Sequence, residues 1–406
     1  MTLPMRWSHG TLDDVISSVR GGFSAKCDDR QALPSERAVL KTGAVLNGRF
    51  DATQNKYVPP SEHASLRTPV SAGTIVFCRK NSEDTIGAAA LVERDDPNIF
   101  LSDLLWELRP ATGVDLHWLV SSLKCDRTRK LIQIEATGTQ STMKNISQGR
   151  LLSVPVAIPP LPEQRKIAEI LRTWDVAIQK LEALRAGNLR RRVWLRSHLF
   201  TGRTRLPGYS GTWREVPLGE VLTEHGLQGT GAEQVFSVSV HKGLVNQIEH
   251  LGRSFAASET GHYNRVLPGD IVYTKSPTGD FPLGIIKQSK IGQEVIVSPL
   301  YGVFTPATYA FGVILDALFE SPIAVRNYLH PLVQKGAKNT IAITNCRFLE
   351  GKLRLPMDPA EQAAIAEIVE ASQSELACIE AEIQALTRQK RGLMQKLLTG
   401  EWRVSC

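Results

Sequence analysis

The sequence has few cysteines and no pattern that would organise them. Six cysteines occur among 406 residues, and none forms a C-x-x-C pair. We therefore expect neither a zinc site nor a disulfide framework, and thiols in a reducing cytoplasm fit best. The chain also lacks an apolar run approaching about 18 residues, which argues against a membrane-spanning helix, and its first residues do not resemble a secretory signal.

Motifs of common nucleotide-dependent enzymes are also missing. The sequence has no G-x-x-x-x-G-K-[ST] phosphate loop, and Gly229-Thr-Gly231 lacks the third glycine of a dinucleotide-binding loop. Glu350 and Lys352 have the spacing of a nuclease Glu-x-Lys pair, but no aspartate between Asp316 and Glu350 completes a magnesium site. A standalone enzyme is therefore disfavoured.

Charge is modest overall and unevenly distributed. The formal net charge of +7 only hints at a nucleic-acid partner. Residues 160–205 carry eleven basic and four acidic side chains, whereas residues 358–406 carry five basic and eight acidic ones. The opposite charges of these two segments favour their pairing with each other.

The chain contains an internal repeat. Glu163-Gln-Arg-Lys-Ile-Ala-Glu-Ile170 returns 198 residues later as Glu361-Gln-Ala-Ala-Ile-Ala-Glu-Ile368, and Arg205 matches Arg403 at the same offset. A repeat of this length predicts a duplicated architecture. It divides the chain into a globular segment at 1–159, a helix at 160–205, a globular segment at 206–357 and a helix at 358–406.

Apolar residues follow 4-3 spacing along both helical segments, which is typical of a coiled coil. Only Ser372 and Lys390 are polar at these positions in the second helix. Three polar residues interrupt the first helix, where Leu184 or Leu189 is a possible replacement. The predicted seam comprises Ile167, Leu171, Trp174, Ile178, Leu181, Leu195, Leu199, Ile365, Val369, Leu376, Ile379, Ile383, Leu386, Leu393 and Leu397.

The repeat favours antiparallel packing of the two helices, since a pseudo-two-fold axis across the pair requires it. A register with Ile167 opposite Leu397 would place Arg192 against Ser372. The alternative is that each helix is buried against its own globular segment.

The globular segments combine short strands with late helices. Strand-like runs at 73–77, 88–92, 234–240, 270–274 and 294–297 are separated by glycine, proline and aspartate turns. One helix-like stretch follows in each segment, at 115–133 and at 310–334. We therefore expect an α+β fold in which two α/β domains, related by a pseudo-two-fold axis, are separated by an antiparallel coiled coil.

The junctions of the first long helix resemble those of a known family. Ile158-Pro-Pro-Leu-Pro-Glu-Gln-Arg-Lys-Ile-Ala-Glu-Ile-Leu171 is similar to the motif that begins the central helix in specificity subunits of Type I restriction–modification systems. Leu199-Phe-Thr-Gly-Arg-Thr-Arg-Leu-Pro207 resembles the junction to their second half. The resemblance covers the chain in order: target recognition domain, central conserved spacer helix, second target recognition domain and distal conserved spacer helix. The second copy of the motif, Met357-Asp-Pro-Ala-Glu-Gln362, keeps one proline and the Glu-Gln pair.

The resemblance implies a non-catalytic recognition subunit. Each recognition domain would read one half of a bipartite, asymmetric target in double-stranded DNA. Two methyltransferase subunits would dock on the chain, and restriction or motor subunits would join through them, with no membrane partner. S-adenosylmethionine, ATP and Mg²⁺ would belong to these partners, and none to this chain. The alternative is a coiled-coil adaptor or scaffold that reads no DNA.

Polar and basic side chains on loops are the candidates for base reading, because they match the hydrogen-bonding groups on base edges. They occur after a strand and after a glycine in both halves, and each is equally compatible with an ordinary solvated turn. The candidates are Arg79, Lys80, Asn81, Thr139, Gln140, Lys144 and Asn145 in the first half, and Lys275, Ser276, Thr278, Lys338, Asn339 and Thr340 in the second.

Overall fold

The computed structural model describes residues 6–46, 48–138, 143–251, 260–335 and 341–405. The chain forms two compact units. The first unit comprises Met1–Glu182 with Glu382–Cys406, and the second comprises Ala183–Ala381. Each unit therefore contains one globular part and a portion of each long helix. Within the described ranges, no helix is long and apolar enough to cross a membrane.

The first unit combines mostly antiparallel strands with short helices before the first long helix. Its strands are β1 Ser8–Thr11, β2 Ile16–Gly21, β3 Ala38–Leu40, β4 Asn55–Tyr57, β5 Pro69–Val70, β6 Thr74–Cys78, β7 Lys80–Asn81, β8 Ala89–Val92, β9 Asp96–Phe100, β10 Leu105–Pro110, β11 Lys144–Asn145 and β12 Pro155–Ile158. Its helices are α1 Gly43–Leu46, α2 Leu116–Lys124, α3 Asp126–Glu135, α4 Gln148–Leu152 and the start of α5 Leu161–His198.

A four-stranded sheet in the order β2-β10-β6-β8 lies at the centre of this unit. Successive side chains of a strand point to opposite faces. Phe77 therefore packs in one core with Trp118 of α2 and Ile132 of α3. Val76, its neighbour on β6, packs on the other face against a second sheet, β4-β3-β9-β5, which contributes Leu40.

The second unit repeats this plan. Its strands are β13 Arg214–Pro217, β14 Leu222–Glu224, β15 Phe236–Ser239, β16 Gly243–Asn246, β17 Asn264–Val266, β18 Ile271–Tyr273, β19 Ile286–Gln288, β20 Val295–Val297, β21 Gly302–Pro306, β22 Gln334–Lys335, β23 Ile341–Ala342 and β24 Lys352–Leu355. Its helices are α6 Gln247–Leu251, α7 Tyr309–Leu318, α8 Pro322–Leu329, α9 Asn345–Glu350 and the start of α10 Pro359–Leu398.

The central sheet of the second unit has the order β14-β21-β18-β19, which matches the first unit strand for strand. Tyr273 packs on the face that is covered by Phe311 of α7. Val272 packs on the other face with Val266 and Val295. The first and last strands of each globular part also pair, β1 with β12 and β13 with β24, directly before a long helix. The shared topology confirms the duplication that the sequence predicts.

The prediction of one continuous helix late in each segment is wrong, because each stretch forms two helices. Cys125 has an extended backbone, with φ −61° and ψ 135°, and separates α2 from α3. Pro322 lies in the first turn of α8, and the Ser321 hydroxyl accepts from the Ala324 amide there. A proline has no N–H to continue a preceding helix, so a new helix begins at this point.

The long helices run antiparallel inside each unit, as expected. In the first unit, Ile167 near the start of α5 shares a core with Leu397 near the end of α10, and Lys390 pairs with Asp175 at 2.6 Å. In the second unit, Arg185 pairs with Glu380 at 2.7 Å and Arg191 with Glu375. These ion pairs join the basic helix to the acidic one. The α+β class with an antiparallel helix pair is thus confirmed.

The side chains that are buried in the polar middle of α5 differ from the prediction. Leu184 and Leu189 are exposed, so neither replaces the seam. Asn188 is buried instead, and the Ser372 hydroxyl donates to its side-chain oxygen at 3.3 Å. Arg192 lines the same small space as Ser372, and its guanidinium pairs with Glu320 at 2.5 Å. A buried polar pair of this kind fixes helix register at a cost in stability.

Candidate nucleic-acid interface

Four of the predicted base-reading residues come together in the first unit. Lys144 lies opposite Asn81 and Asn145 opposite Lys80 in the two-stranded sheet of β7 and β11. We call this pair of strands the basic ribbon. Both lysines are only partly buried, so their ammonium groups remain within reach of solvent. An antiparallel ribbon that carries two lysines can contact phosphates and base edges together.

The side-chain oxygens of the two asparagines in the basic ribbon differ in their hydrogen bonding. The side-chain oxygen of Asn81 accepts from the Ser82 amide at 2.8 Å, so it stabilises the turn after β7. The side-chain oxygen of Asn145 is buried and has no hydrogen-bond partner among the described residues. Its backbone is held by Thr137 through two hydrogen bonds of 2.8 Å.

Arg79 precedes the basic ribbon and is held against the central sheet. Its guanidinium lies over the Trp106 ring, 5.4 Å from the centroid, and its carbonyl accepts from the Ile146 amide at 3.0 Å. Its Nε is buried without a hydrogen-bond partner in the part of the chain that the structure describes. Arg79 therefore supports the ribbon through cation–π stacking as well as through the backbone.

The second unit presents its candidates on a loop after β18. Ser276 and Thr278 are exposed, and Thr278 closes a tight turn through two backbone hydrogen bonds with Phe281. Lys275 has φ +59°, and Gly284 lies so close that an added Cβ would come 2.8 Å from the Lys275 amide nitrogen. Burial lowers the pKa of Lys275, and nearby Glu224 partly opposes the shift.

The remaining candidates lie outside the described residues. Thr139 and Gln140 come directly after Gly138 in the sequence, and Lys338, Asn339 and Thr340 come between β22 and β23 in the sequence. Base contact by any of the candidates stays a prediction.

The repeated Glu-Gln pairs have a role that the sequence alone did not reveal. Glu163 is buried and accepts from the Trp7 indole at 2.9 Å and from Arg403 at 2.7 and 2.9 Å. We call these three residues the first junction clamp. The clamp joins the residue before β1, the start of α5 and the residues after α10. The sequence signal that could have indicated this clamp was the match of Glu163 with Glu361 and of Arg205 with Arg403, each 198 residues apart.

The second unit contains the same clamp. Glu361 accepts from the Trp213 indole at 3.2 Å and from Arg205 at 2.6 Å. The glutamines beside the two glutamates act alike, since Gln164 donates to the Pro159 carbonyl at 2.9 Å and Gln362 to the Pro356 carbonyl at 3.0 Å. The repeated motif thus fixes both junctions between a globular part and a long helix.

Comparison with known proteins finds similarity to one kind of protein. A family profile described as "Type I restriction modification DNA specificity domain" matches residues 4–186. The Type I restriction enzyme EcoEI specificity subunit of Escherichia coli is 24% identical over 45% of this chain, and the match spans only 31% of that subunit. The putative type I restriction enzyme MjaX specificity subunit of Methanocaldococcus jannaschii is 22% identical over 99% of this chain and 95% of its own length.

Solved structures share the fold over the whole chain. The S subunit of a Type I restriction–modification system from M. genitalium has a TM-score of 0.61 at 16% identity and covers 98% of both chains. A chain from a study of assembly and conformational transition in the type I R-M system has a TM-score of 0.55 at 14% identity, over 99% of this chain and all of that one. With the duplicated units, the antiparallel helices and the paired junction clamps, these matches show that the chain is similar to specificity subunits of Type I restriction–modification systems and shares their fold.

Proposed function

We propose that the chain reads a bipartite, asymmetric DNA target, one half with each globular part, and that it does so without catalysis of its own. The observation that carries this proposal is the duplication of one fold in two units with different candidate loops. The same scaffold supplies each reader, and unlike side chains on the loops give each reader its own sequence preference.

The basic ribbon supports phosphate and base contact in the first unit. Its two adjacent strands carry Lys80 and Lys144. Asn145 lies opposite Lys80, and its backbone pairs with Thr137. Lysines positioned by backbone hydrogen bonds make sequence-independent phosphate contacts, and the amides beside them suit base edges. In the second unit, the exposed Ser276 and Thr278 offer hydroxyls to the same kind of contact.

Exposed apolar side chains on α5 support the docking of a protein partner. Leu184, Leu189, Val193 and Trp194 are 59%, 39%, 55% and 48% exposed, although they lie on the helix that pairs with α10. Leu189 and Val193 are one helical turn apart and share a face, and exposed apolar surface of this kind marks protein interaction sites. We propose that two methyltransferase subunits dock on the helix pair and that restriction or motor subunits join through them. S-adenosylmethionine, ATP and Mg²⁺ would then serve those partners, in the cytoplasm.

A mobility-shift titration tests this function. The purified chain, alone and with its cognate methyltransferase, is titrated onto duplex DNA at several salt concentrations. We expect sequence-selective binding that weakens steeply with salt, because lysines replace counterions on phosphates. Lys80→Ala and Lys144→Ala should each lower the slope of log affinity against log salt by about one. Lys130→Ala, at an exposed lysine of α3, is the matched control.

Two outcomes would contradict the proposal. Absence of DNA binding with the methyltransferase present would leave the adaptor function instead. Binding that the ribbon variants and the control weaken alike would remove the basic ribbon from the interface.

A further inference from the structure

Three polar side chains meet at one edge of the central sheet in the second unit, and the sequence predicted only one of them. β14 ends at Glu224, and β18 ends two residues before Lys275. The strand β21 begins at Gly302 and runs antiparallel to both, so these three points lie at the same edge. Asn345 of α9 contacts Glu224 there. We call Glu224, Lys275 and Asn345 the polar cluster.

Asn345 holds the carboxylate of Glu224 in one orientation. Its side-chain amide donates to Oε1 of Glu224 at 2.5 Å. A carboxylate has no proton to give, so the amide must face it with its NH₂ group. The side-chain oxygen of Asn345 is thereby left buried, with no hydrogen-bond partner in the described ranges. Glu224 itself is exposed, so its carboxylate can accept a further hydrogen bond from a ligand.

Lys275 places a cation beside this carboxylate. Its backbone has φ +59°, and Thr274 before it is tied to Ile285 by two hydrogen bonds of 3.0 Å, which fix the strained conformation. Burial lowers the pKa of Lys275 and Glu224 partly opposes the shift, so the two charges lie within electrostatic reach. Lys275 forms no ion pair with any residue that the structure describes. The cluster therefore offers a fixed acceptor next to a donor.

The first unit carries different side chains at the matching positions. At an offset of 196 residues, Arg79 matches Lys275 and Trp106 matches Gly302. In the first unit the guanidinium of Arg79 lies over the Trp106 ring, 5.4 Å from the centroid. In the second unit the glycine makes room for Asn345, because an added Cβ would come 2.8 Å from its side-chain oxygen. The polar cluster therefore belongs to the second unit, as two readers of different sequences require.

The polar cluster matches the major-groove edge of a C·G base pair. Cytosine presents its N4 amino group there, which donates to carboxylates, and guanine presents O6 and N7, which accept from lysine. Phosphates repel an exposed carboxylate, so Glu224 favours a base over the DNA backbone. The matching edge of the first unit carries the basic ribbon, because Lys80 follows β6 there.

We propose that Glu224 and Lys275 read a C·G base pair in the half of the target that the second unit binds. Glu224 accepts from cytosine N4, Lys275 donates to O6 or N7 of the guanine, and Asn345 positions the carboxylate. This inference rests on the proposed DNA-reading function and adds to it the base pair and the residues that recognise it.

Selection of binding sites from a pool of randomised duplexes, by the full chain with its cognate methyltransferase, tests the proposal. We expect the wild type to require a C·G pair at one position of one half-site. Glu224→Gln should lower the discrimination at that position about tenfold and shift the preference towards A·T, because a glutamine amide suits adenine. Lys275→Met should weaken the preference for the same base pair. The preferences at all other positions should stay unchanged.

Two further variants separate base reading from folding. Asn345→Leu keeps a side chain of similar size but cannot donate to Glu224, so discrimination at the same base pair should fall. A merely structural role of Asn345 would lower the melting temperature without changing the base preference. Glu215→Gln alters an exposed glutamate on β13, is the matched control for Glu224→Gln, and should leave the selected sequence unchanged.

A wild-type target without a required C·G pair would overturn the proposal, as would a Glu224→Gln chain that selects the wild-type sequence. Equal weakening at every position would assign the polar cluster to phosphate contact, against the proposal. Each of these results leaves the DNA-reading function intact, because the wild type would still select a sequence. A wild-type complex that selects no sequence would overturn the DNA-reading function together with this inference.

Discussion

At the scale of single residues, each buried glutamate of the junction clamps accepts hydrogen bonds from both a tryptophan and an arginine. Burial works to raise the pKa of Glu163, but the hydrogen bonds from Arg403 and Trp7 outweigh it and hold the pKa below its ordinary value of 4.5. The charged carboxylate is thus favoured by the folded state. A lowered carboxyl pKa stabilises the fold above the ordinary value, and that contribution disappears as the pH falls through the lowered one.

We expect Glu163→Gln to lower the free energy of unfolding by about 2 kcal/mol at pH 7, because a charge-assisted hydrogen bond with Arg403 is lost. The gap to the wild type should be narrower at an acidic pH below the lowered pKa of Glu163, where the wild-type glutamate is also protonated. Chemical denaturation at the two pH values gives both numbers. Glu169→Gln on the exposed side of α5 should change the stability by less than about 1 kcal/mol. A gap that is independent of pH would contradict the clamp.

Single residues also show why the candidate site was only partly predictable. Lys80 and Lys144 stood out as basic residues near turns, but their pairing joins segments that are far apart along the chain. Hydrophobic periodicity carries no information about which loops meet. Arg403 was visible only as a member of the repeat, since the contact that it shares with Trp7 on Glu163 emerges in three dimensions.

At the scale of elements, the helix pair combines an apolar seam with charge complementarity. Leu376 and Ile379 are each 9% exposed, and polar partners such as Arg185 and Glu380 flank the seam. The exposed ion pairs contribute little to stability, with a typical contribution of 0–1 kcal/mol each. Burial of the apolar side chains supplies most of the stability, at about 25 cal/mol per Å².

The double substitution Leu376→Asp with Ile379→Asp should therefore separate the helices in the second unit. Two carboxylates would be buried without partners, which costs several kcal/mol. We expect a large fall in melting temperature and the loss of methyltransferase from the complex on size exclusion. Ser374→Asp adds a charge to the exposed side of the same turn and should preserve the complex. Retention of the partner by the double variant would refute the seam.

At the scale of the whole molecule, the duplication predicts that the globular parts are exchangeable. The first globular part meets the helices through Trp7, Asp115 and the core around Ile167. The loops that we propose to read DNA are separate from these contacts. A foreign domain that keeps a tryptophan at the position of Trp7 should therefore fit the same junction.

Replacement of residues 1–150 by the corresponding part of a related subunit should change one half of the methylated target and leave the other half unchanged. Methylation mapping of the host genome reads both halves directly. The reciprocal exchange of residues 206–350 is the control and should alter the other half. If either exchange changed both halves, the two units would not read independently.

The sequence by itself determined the duplication, the positions of the two long helices and their antiparallel pairing. These follow from local periodicity, from repeated motifs and from the balance of charge, all of which are written along the chain. Tertiary structure decided which polar groups meet: Asn188 with Ser372, Glu163 with Trp7 and Arg403, and Lys80 beside Asn145. Packing between distant segments decides such contacts, and local periodicity along the chain does not encode it.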